Sequence, residues 1–508
     1  MTDVILNDGV TPEAETQAVR DLLATTPDKQ LFINGEYRAP RSGQYLETHD
    51  PATGKVIARI ANASEADVND AVSCAQAALK GPWSKITPME RAGILNKVAD
   101  LIEANIDELC ELEILDQGKP WYVARWAEIP AAANQFRYFA GQAMNIEGQI
   151  LNTSINYQPE GRDVQAWTVR EPVGVVAAIT PWNSPLVLTA MKLAPALAAG
   201  CTVVHKPAEL TSLSALRLAE LIHEAGVPEG VINVITGEGA KTGSCLANHM
   251  GVSKVAFTGS TSTGRAIVDA SKSNLKRITL ELGGKSPAIV LPDANLDLAI
   301  PGIANGIFFN SGQVCVANSR TYIHRSIFDQ VLEGIAEYGA GLQLGHGLNR
   351  ETQMGPVVSV DQAEKIESYI KTAENEGATI VTGGQRLGSN GTFIQPTVVT
   401  GTQLNSAIHC EEVFGPVIVA ESYDDINDAI EWSNNSEFGL ASSIWTQDFT
   451  HAQRLSRQIQ AGTVWINSHS MFDASMPIGG IKQSGYGRDS GKLALDNYLD
   501  WKTICAVV

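Results

Sequence analysis

From Glu171 onward the chain alternates short apolar runs with stretches of helical periodicity, and this alternation restricts the fold more than any other feature. The runs are VGVVAAIT near 174–180, TVVHKP (202–207), GVINVITG (230–237), KVAFTG (254–259) and ITLELGG (278–284). Unbroken apolar runs are what strands of a parallel sheet need, because helices cover both of its faces. Ser184 to Ala199 and Ser212 to Ala225 are long enough for crossover helices, and Gly200 and Gly226 supply their stops. The expectation is an α/β fold: a doubly wound nucleotide-binding domain.

A second α/β series follows Leu291, with helices expected near 295–309, 326–342 and 448–460 and strands at SRTYIHR and GTVWINS. GGQRLGSNGT (383–392) reads as a surface turn. Residues 1–30 read as an acidic extension in which Thr11 caps a short helix with Pro12 at its first position. The alternating pattern of INYQPEGRDVQAWTVRE and the final KTICAVV suggest a small β element with an edge to pair. The expected division is therefore 1–30 as extension, 31–148 with 172–282 as a nucleotide domain, and 283–483 as a catalytic domain. Segments 149–171 and 484–508 form the bridging, oligomerisation element.

A chain of 508 residues with 44% hydrophobic residues has material for several cores. Its formal charge of −19 argues against nucleic acid or an anionic membrane as partner, since both select clustered Lys and Arg. Leu186–Val204 approaches membrane-spanning length, but Lys192, Pro195 and Gly200 make a helix followed by a buried strand the better reading. The amino terminus lacks a basic start and an apolar run, and the seven cysteines lack paired spacing. Both features point to a reducing, cytoplasmic setting. No metal is expected; the neighbours His409, Cys410, Glu411 and Glu412 are too close in sequence to converge readily on one ion.

Three turns could carry chemistry. In FTGSTSTG a strand stops at Gly259 and a helix begins near Ser262, so amides and a helix N-terminus face whatever lies above, a field suited to a pyrophosphate. An ordinary strand-to-helix turn is the plain alternative, and Gly237-Glu238-Gly239 is equally ambiguous. KPAE places Lys206 and Glu209 past a central strand, where both could grip ribose hydroxyls and where a carboxylate would repel a 2′-phosphate, favouring NAD over NADP. An exposed ion pair is the alternative there. NSGQVCVANSR sets Cys315 among small and amide-bearing residues rather than bulky apolar ones. A nucleophilic role requires a base or a positive field, and Glu281 in LELGGKSP, at a Gly-Gly break, is the best candidate base.

TPWNSPL, KPAE, FTGSTSTG, LELGGKSP, GQVCVANSR, EEVFGPV and PIGGIKQSGYGRDSG follow one another in an order that resembles the aldehyde dehydrogenase superfamily over about residues 30–505. QAWTVREPVGVVA and WINSHSMFDASMPIGGIKQSGYGRD most resemble its phenylacetaldehyde dehydrogenase-like members. The resemblance implies NAD-dependent oxidation of an aldehyde through a thioester. Cys315 would be the nucleophile, Glu281 the base, Asn183 and the Cys315 amide the oxyanion donors, and Lys192 the lysine behind Asn183. Thr180, Pro181, Trp182, Lys206, Glu209, Gly239, Gly259, Ser260, Glu412 and Phe414 would form the cofactor groove, with Glu412 on the nicotinamide ribose.

The sequence departs from that pattern at Ser184 and Ile478, where the family often has aromatics. A roomier pocket follows, suited to an arylacetaldehyde or another aromatic aldehyde, or alternatively to a medium-chain aliphatic one. Leu188, Met191, Val314, Val316 and Phe472 are its further expected lining residues. Two readings from other classes are a non-redox cysteine esterase using Cys315 and Glu281, and a catalytically silent binding protein. A homo-oligomer, tetramer or dimer, is expected.

Overall fold

The computed structural model describes residues 12–157, 160–388 and 391–508. The five predicted strands form at Val175–Ile179, Thr202–Lys206, Ile232–Val234, Lys254–Thr258 and Arg277–Glu281, every neighbouring pair parallel. Their order runs outward from Val175–Ile179 in both directions, which makes the sheet doubly wound. The switch point lies between Val175–Ile179 and Lys254–Thr258. Ligands of such sheets bind in the crevice outside the carboxyl ends at that point.

Alternate residues of one strand enter separate cores, as the period of two requires. Val176 and Ala178 join one apolar cluster, and Val175, Ala177 and Ile179 join the other. The hairpin Leu31–Ile33 with Glu36–Arg38 extends one edge, and Gly485–Tyr486 pairs antiparallel with Arg277–Glu281 at the opposite edge. Between strands, helix Pro185–Ala199 starts with proline and ends at Gly200 (φ 91°), and it is buried along nearly its whole length.

A second sheet of seven strands is also wound in both directions, outward from Pro287–Val290, with Thr379–Thr382 its antiparallel strand. A third, antiparallel sheet joins Leu499–Val507, Val164–Pro172 and Ile150–Leu151.

Local expectations shift at several points. Thr11 lies outside the described residues, and Pro12 is not helical; the first helix among the described residues is Gln17–Thr25. Its start is set by a distant partner, because the Thr16 amide donates to Glu111 Oε2 at 3.1 Å. The helix expected over 448–460 is Phe449–Ser456, begun by the Asp448 side chain accepting from the His451 amide. Within 383–392, Arg386–Leu387 forms a short hairpin with Phe393–Ile394, while 389–390 lie outside the described residues.

Candidate active site

A groove of about 730 Å³ opens at the switch point. It is lined by Thr180, Pro181, Trp182, Lys206, Glu209, Gly239, Gly259, Ser260, Glu412 and Phe414, and also by Asn183, Leu188 and Cys315. The ten residues assigned to a cofactor from the sequence therefore share one cleft. Among the first eight, Lys206 ends a parallel strand and the other seven follow one, so the sheet's carboxyl edge brings them together.

At one end Lys206 Nζ pairs with Glu209 Oε2 at 2.9 Å, and Glu209 Oε1 accepts from the Gly239 amide at 3.1 Å. Burial pushes the Glu209 carboxyl up, but Lys206 and these hydrogen bonds more than offset it, leaving it below the usual carboxylate range. A Cβ at Gly239 would project over this pair, 3.8 Å from Glu209 Oε1. Ser260 caps helix Thr261–Ser271, its Oγ accepting from the Thr263 amide at 3.2 Å.

Cys315 lies at the other end, where three chain-distant loops meet. Helix Leu296–Phe308 ends in a turn in which Asn310, Ser311 and Gly312 are all left-handed, with φ of 49°, 56° and 70°. This turn redirects the backbone so that Cys315 faces the groove. A Cβ at Gly312 would sit 2.0 Å from the Gly415 carbonyl, and one at Gly284 2.4 Å from the Cys315 carbonyl. The glycines thus permit backbone contact among the loops at 283–284, 310–315 and 412–415. Gly283 has the same function toward Glu412, whose Oε1 accepts from the Gly284 amide at 2.9 Å. Phe414 holds a left-handed φ of 59° and meets Trp182 edge-on, with centroids 5.2 Å apart.

Burial pushes the Cys315 thiol up to about 12, Glu412 and Glu281 add to the rise, and the amides of Cys315 and Val316 oppose it. Asn183 is buried beside it, its Nδ2 donating to the Gln313 carbonyl at 2.9 Å and its own carbonyl accepting from Asn310 Nδ2 at 3.0 Å. Glu281 is buried just off the groove lining, against Gly479, with Oε1 lacking a hydrogen-bond partner. Burial and the Asp489 charge hold its carboxyl well above the usual range, against Lys192 and Arg488. Lys192 is ion-paired with Asp489, which is fixed by two backbone hydrogen bonds with Ile478, each 2.8 Å.

The aldehyde dehydrogenase family model matches residues 37–504. The chain belongs to the aldehyde dehydrogenase family. It is 43% identical over 478 residues to phenylacetaldehyde dehydrogenase of Pseudomonas fluorescens, covering 94% of this chain and 95% of that protein. It is 43% identical over 477 residues to mitochondrial benzaldehyde dehydrogenase of Antirrhinum majus, covering 94% and 88% of the two. The NAD⁺ complex of the Bacillus cereus aldehyde dehydrogenase superposes with a TM-score of 0.93 at 43% identity, covering 99% of this chain and 100% of that one.

Of the residues expected to shape an aldehyde pocket, Val314, Val316 and Phe472 gather with Cys315 around Trp465. Leu188 lines the groove, whereas Met191 is buried in helix Pro185–Ala199. Val316 belongs to an apolar cluster with Leu440, Ala441 and Trp465, and Val314 packs against it. Phe472 is half-exposed and stacks edge-on against Trp465, Ile478 pairs with Asp489, and the Ser184 hydroxyl donates to Glu128 Oε1 at 2.8 Å. His409, Cys410, Glu411 and Glu412 bond to four different partners: Tyr322, Leu404, Tyr369 and Gly284.

Sequence reasoning missed Gln362 and Lys365, which line the groove from helix Val360–Asn375, and Asp489, which lies 297 residues from Lys192. No local pattern marks them. The GRD triplet after a glycine-rich turn was the available hint for Asp489.

Proposed function

We propose that this chain oxidises an aldehyde to its carboxylic acid with NAD, through a thioester on Cys315. The observation that carries the reading is the single groove joining the Lys206–Glu209 pair at one end to Cys315 and Asn183 at the other. A ribose fits the first end, since a lysine ammonium and a carboxylate together serve hydroxyls as donor and acceptor. The small residues Gly239, Gly243, Ser244, Ala247, Ala266 and Ala270 leave room for a flat base, and Glu412 supplies a carboxylate for a second ribose.

The thiolate of Cys315 adds to the aldehyde carbon. The resulting alkoxide is stabilised by the Cys315 amide and by Asn183 Nδ2, which has a second N–H beyond the one given to Gln313. When bound, NAD would supply the hydride acceptor. The acyl group stays on Cys315 as a thioester, which water hydrolyses with Glu281 as proton acceptor. Glu281 must lose its own proton first and turn toward the groove, because burial keeps its carboxyl protonated above the ordinary range.

An arylacetaldehyde or other aromatic aldehyde is the favoured substrate class, supported by the likeness to phenylacetaldehyde and benzaldehyde dehydrogenases. We read 31–148 with 172–282 as the cofactor domain, 283–483 as the catalytic domain, and 149–171 with 484–508 as the oligomerisation element. Residues 1–30 are the extension. Strand Leu499–Val507 has one hydrogen-bonded neighbour in its sheet, so its outer edge suits a second copy in a homo-oligomer. The seven free cysteines suit the cytoplasm.

The test is formation of reduced cofactor across a panel of aromatic and aliphatic aldehydes, combined with intact-mass detection of an acyl adduct on Cys315. Aldehyde-dependent reduction of NAD with the adduct is expected. Aldehyde turnover without a Cys315 adduct would remove the thioester.

A further inference from the structure

Helix Ile106–Gln117 buries three carboxylates, Glu111, Glu113 and Asp116, which is unusual for residues that normally stay in water. Each faces the start of another helix. Glu111 takes the Thr16 amide ahead of Gln17–Thr25, Glu113 Oε1 takes the Leu186 amide at 2.6 Å, and Asp116 Oδ2 takes the Leu213 amide at 3.0 Å. The free amides and partial positive charge of a helix N-terminus offset the cost of burying such groups.

Glu113 also belongs to a ring. Its Oε2 accepts from Lys119 Nζ at 2.9 Å, and the same buried ammonium donates to Glu128 Oε2. Glu128 Oε1 accepts from the Ser184 hydroxyl at 2.8 Å, and the Leu186 amide two residues on returns to Glu113. Residues 184–186 are therefore gripped at both ends, immediately after Asn183. The ring holds two carboxylates and one ammonium, and burial pushes Glu128 up to about 7 against the pull of Lys119. Ser184, where the family often has an aromatic, is the one ring member that touches Glu128 from the Asn183 loop.

We propose that Glu128, held by Lys119 and Glu113, is a positioning residue for aldehyde addition: through Ser184 it keeps the Asn183 amide in register with Cys315. The inference rests on the oxyanion role of Asn183 given above. A hydroxyl bonded to a carboxylate is a strong, directional contact, and small displacements of a donor are costly in rate.

The experiment compares the burst of reduced cofactor, NAD affinity and thermal midpoint in Ser184→Ala, Glu128→Leu, their double variant, Glu128→Gln and Asn183→Ala. Loss of one charge-assisted hydrogen bond corresponds to a burst slowed about tenfold in Ser184→Ala and in Glu128→Leu. The double variant should be no slower than either, because both remove the same contact. Glu128→Gln retains an oxygen for Ser184 and should recover most of the rate, with NAD affinity unchanged throughout. An unaltered burst in Ser184→Ala, or a double variant slowed by the product of the single effects, overturns the positioning role. Should Glu128→Leu fail to fold, Ser184→Ala and Glu128→Gln decide. A slow Asn183→Ala beside unaffected ring variants overturns the ring alone, whereas an unaffected Asn183→Ala overturns the donor role on which it rests.

Discussion

The two ends of the groove are built differently. The Lys206–Glu209 end is made of single turns, each following one strand of one sheet, and a side chain at Gly239 would meet nothing closer than 3.8 Å. At the Cys315 end, the loops at 283–284, 310–315 and 412–415 touch backbone to backbone, and a Cβ at Gly284 or Gly312 would collide at 2.4 Å or less. On the proposed assignment, cofactor recognition rests on local chemistry at a sheet edge, and placement of Cys315 rests on long-range packing of glycine backbones.

The largest effect expected at the catalytic end is that of Cys315→Ala, which should lower aldehyde oxidation on the order of 10⁶-fold, as nucleophile removal does in other covalent enzymes. NAD affinity should be retained, since the Lys206–Glu209 end is untouched. Unchanged turnover in a folded Cys315→Ala protein would detach the chemistry from this end of the groove.

Glu281→Gln comes next. It should leave the first burst of reduced cofactor intact and slow steady-state turnover by about 10²–10⁴-fold, the range of a lost general base. The wild-type steady-state rate should climb with pH above the ordinary carboxylate range, because the raised carboxyl gains its basic form only there. The variant should lack that rise, because deacylation limits its turnover and Cys315 is then already acylated. A variant with the wild-type pH profile would take Glu281 out of deacylation.

The difference between the ends also sets what could be read from the chain. Glu209 and Ser260 were legible as groove residues because a strand, a turn and a helix start lie within a few residues of each other, whereas Trp182 came from the family resemblance. The reasons for Gly283 and Gly284 were not, since their contacts, Glu412 and Cys315, arrive from distant loops. The start of the first described helix was hidden in the same way, because Thr16 precedes it with its amide on Glu111, 95 residues away. Met191 and Val316 are buried, while Phe472 is half-exposed against Trp465. Helical and strand periodicity identify apolar residues, and the core competes with a pocket for all of them.

Glycine replacements test the two kinds of construction directly. Gly284→Ala must displace the Cys315 carbonyl, and a shift near 1 Å at the reacting group costs about 10²-fold in rate. Gly239→Ala meets only ordinary contacts and should alter the KM for NAD far more than the burst rate. Equal effects of the two on the burst would erase the distinction between the ends.

The smallest effect belongs to the Lys206–Glu209 end and concerns choice of cofactor rather than rate. Glu209 is held by Lys206 and the Gly239 amide where a ribose would lie, and its carboxyl sits below the usual range, so it stays charged through neutral and mildly acidic pH. A 2′-phosphate placed there meets a like charge; at about 4 Å that repulsion is roughly 1 kcal/mol in water and about 4 at an effective dielectric of 20. Because Glu209 is partly exposed, the lower figure governs, and solvent screening reduces it further. Glu209→Gln removes the repulsion, keeps an oxygen for the Gly239 amide and frees Lys206 to meet a phosphate. The ratio of kcat/KM for NAD over NADP should fall about fivefold or less, consistent with a change of about 1 kcal/mol or below. It should do so without altering the burst, since this end makes no contact with the aldehyde. The wild-type preference should be constant from neutral to mildly acidic pH. Equal use of NADP by the wild type, or a preference that fades as soon as pH drops below neutral, would show that Glu209 is not what discriminates.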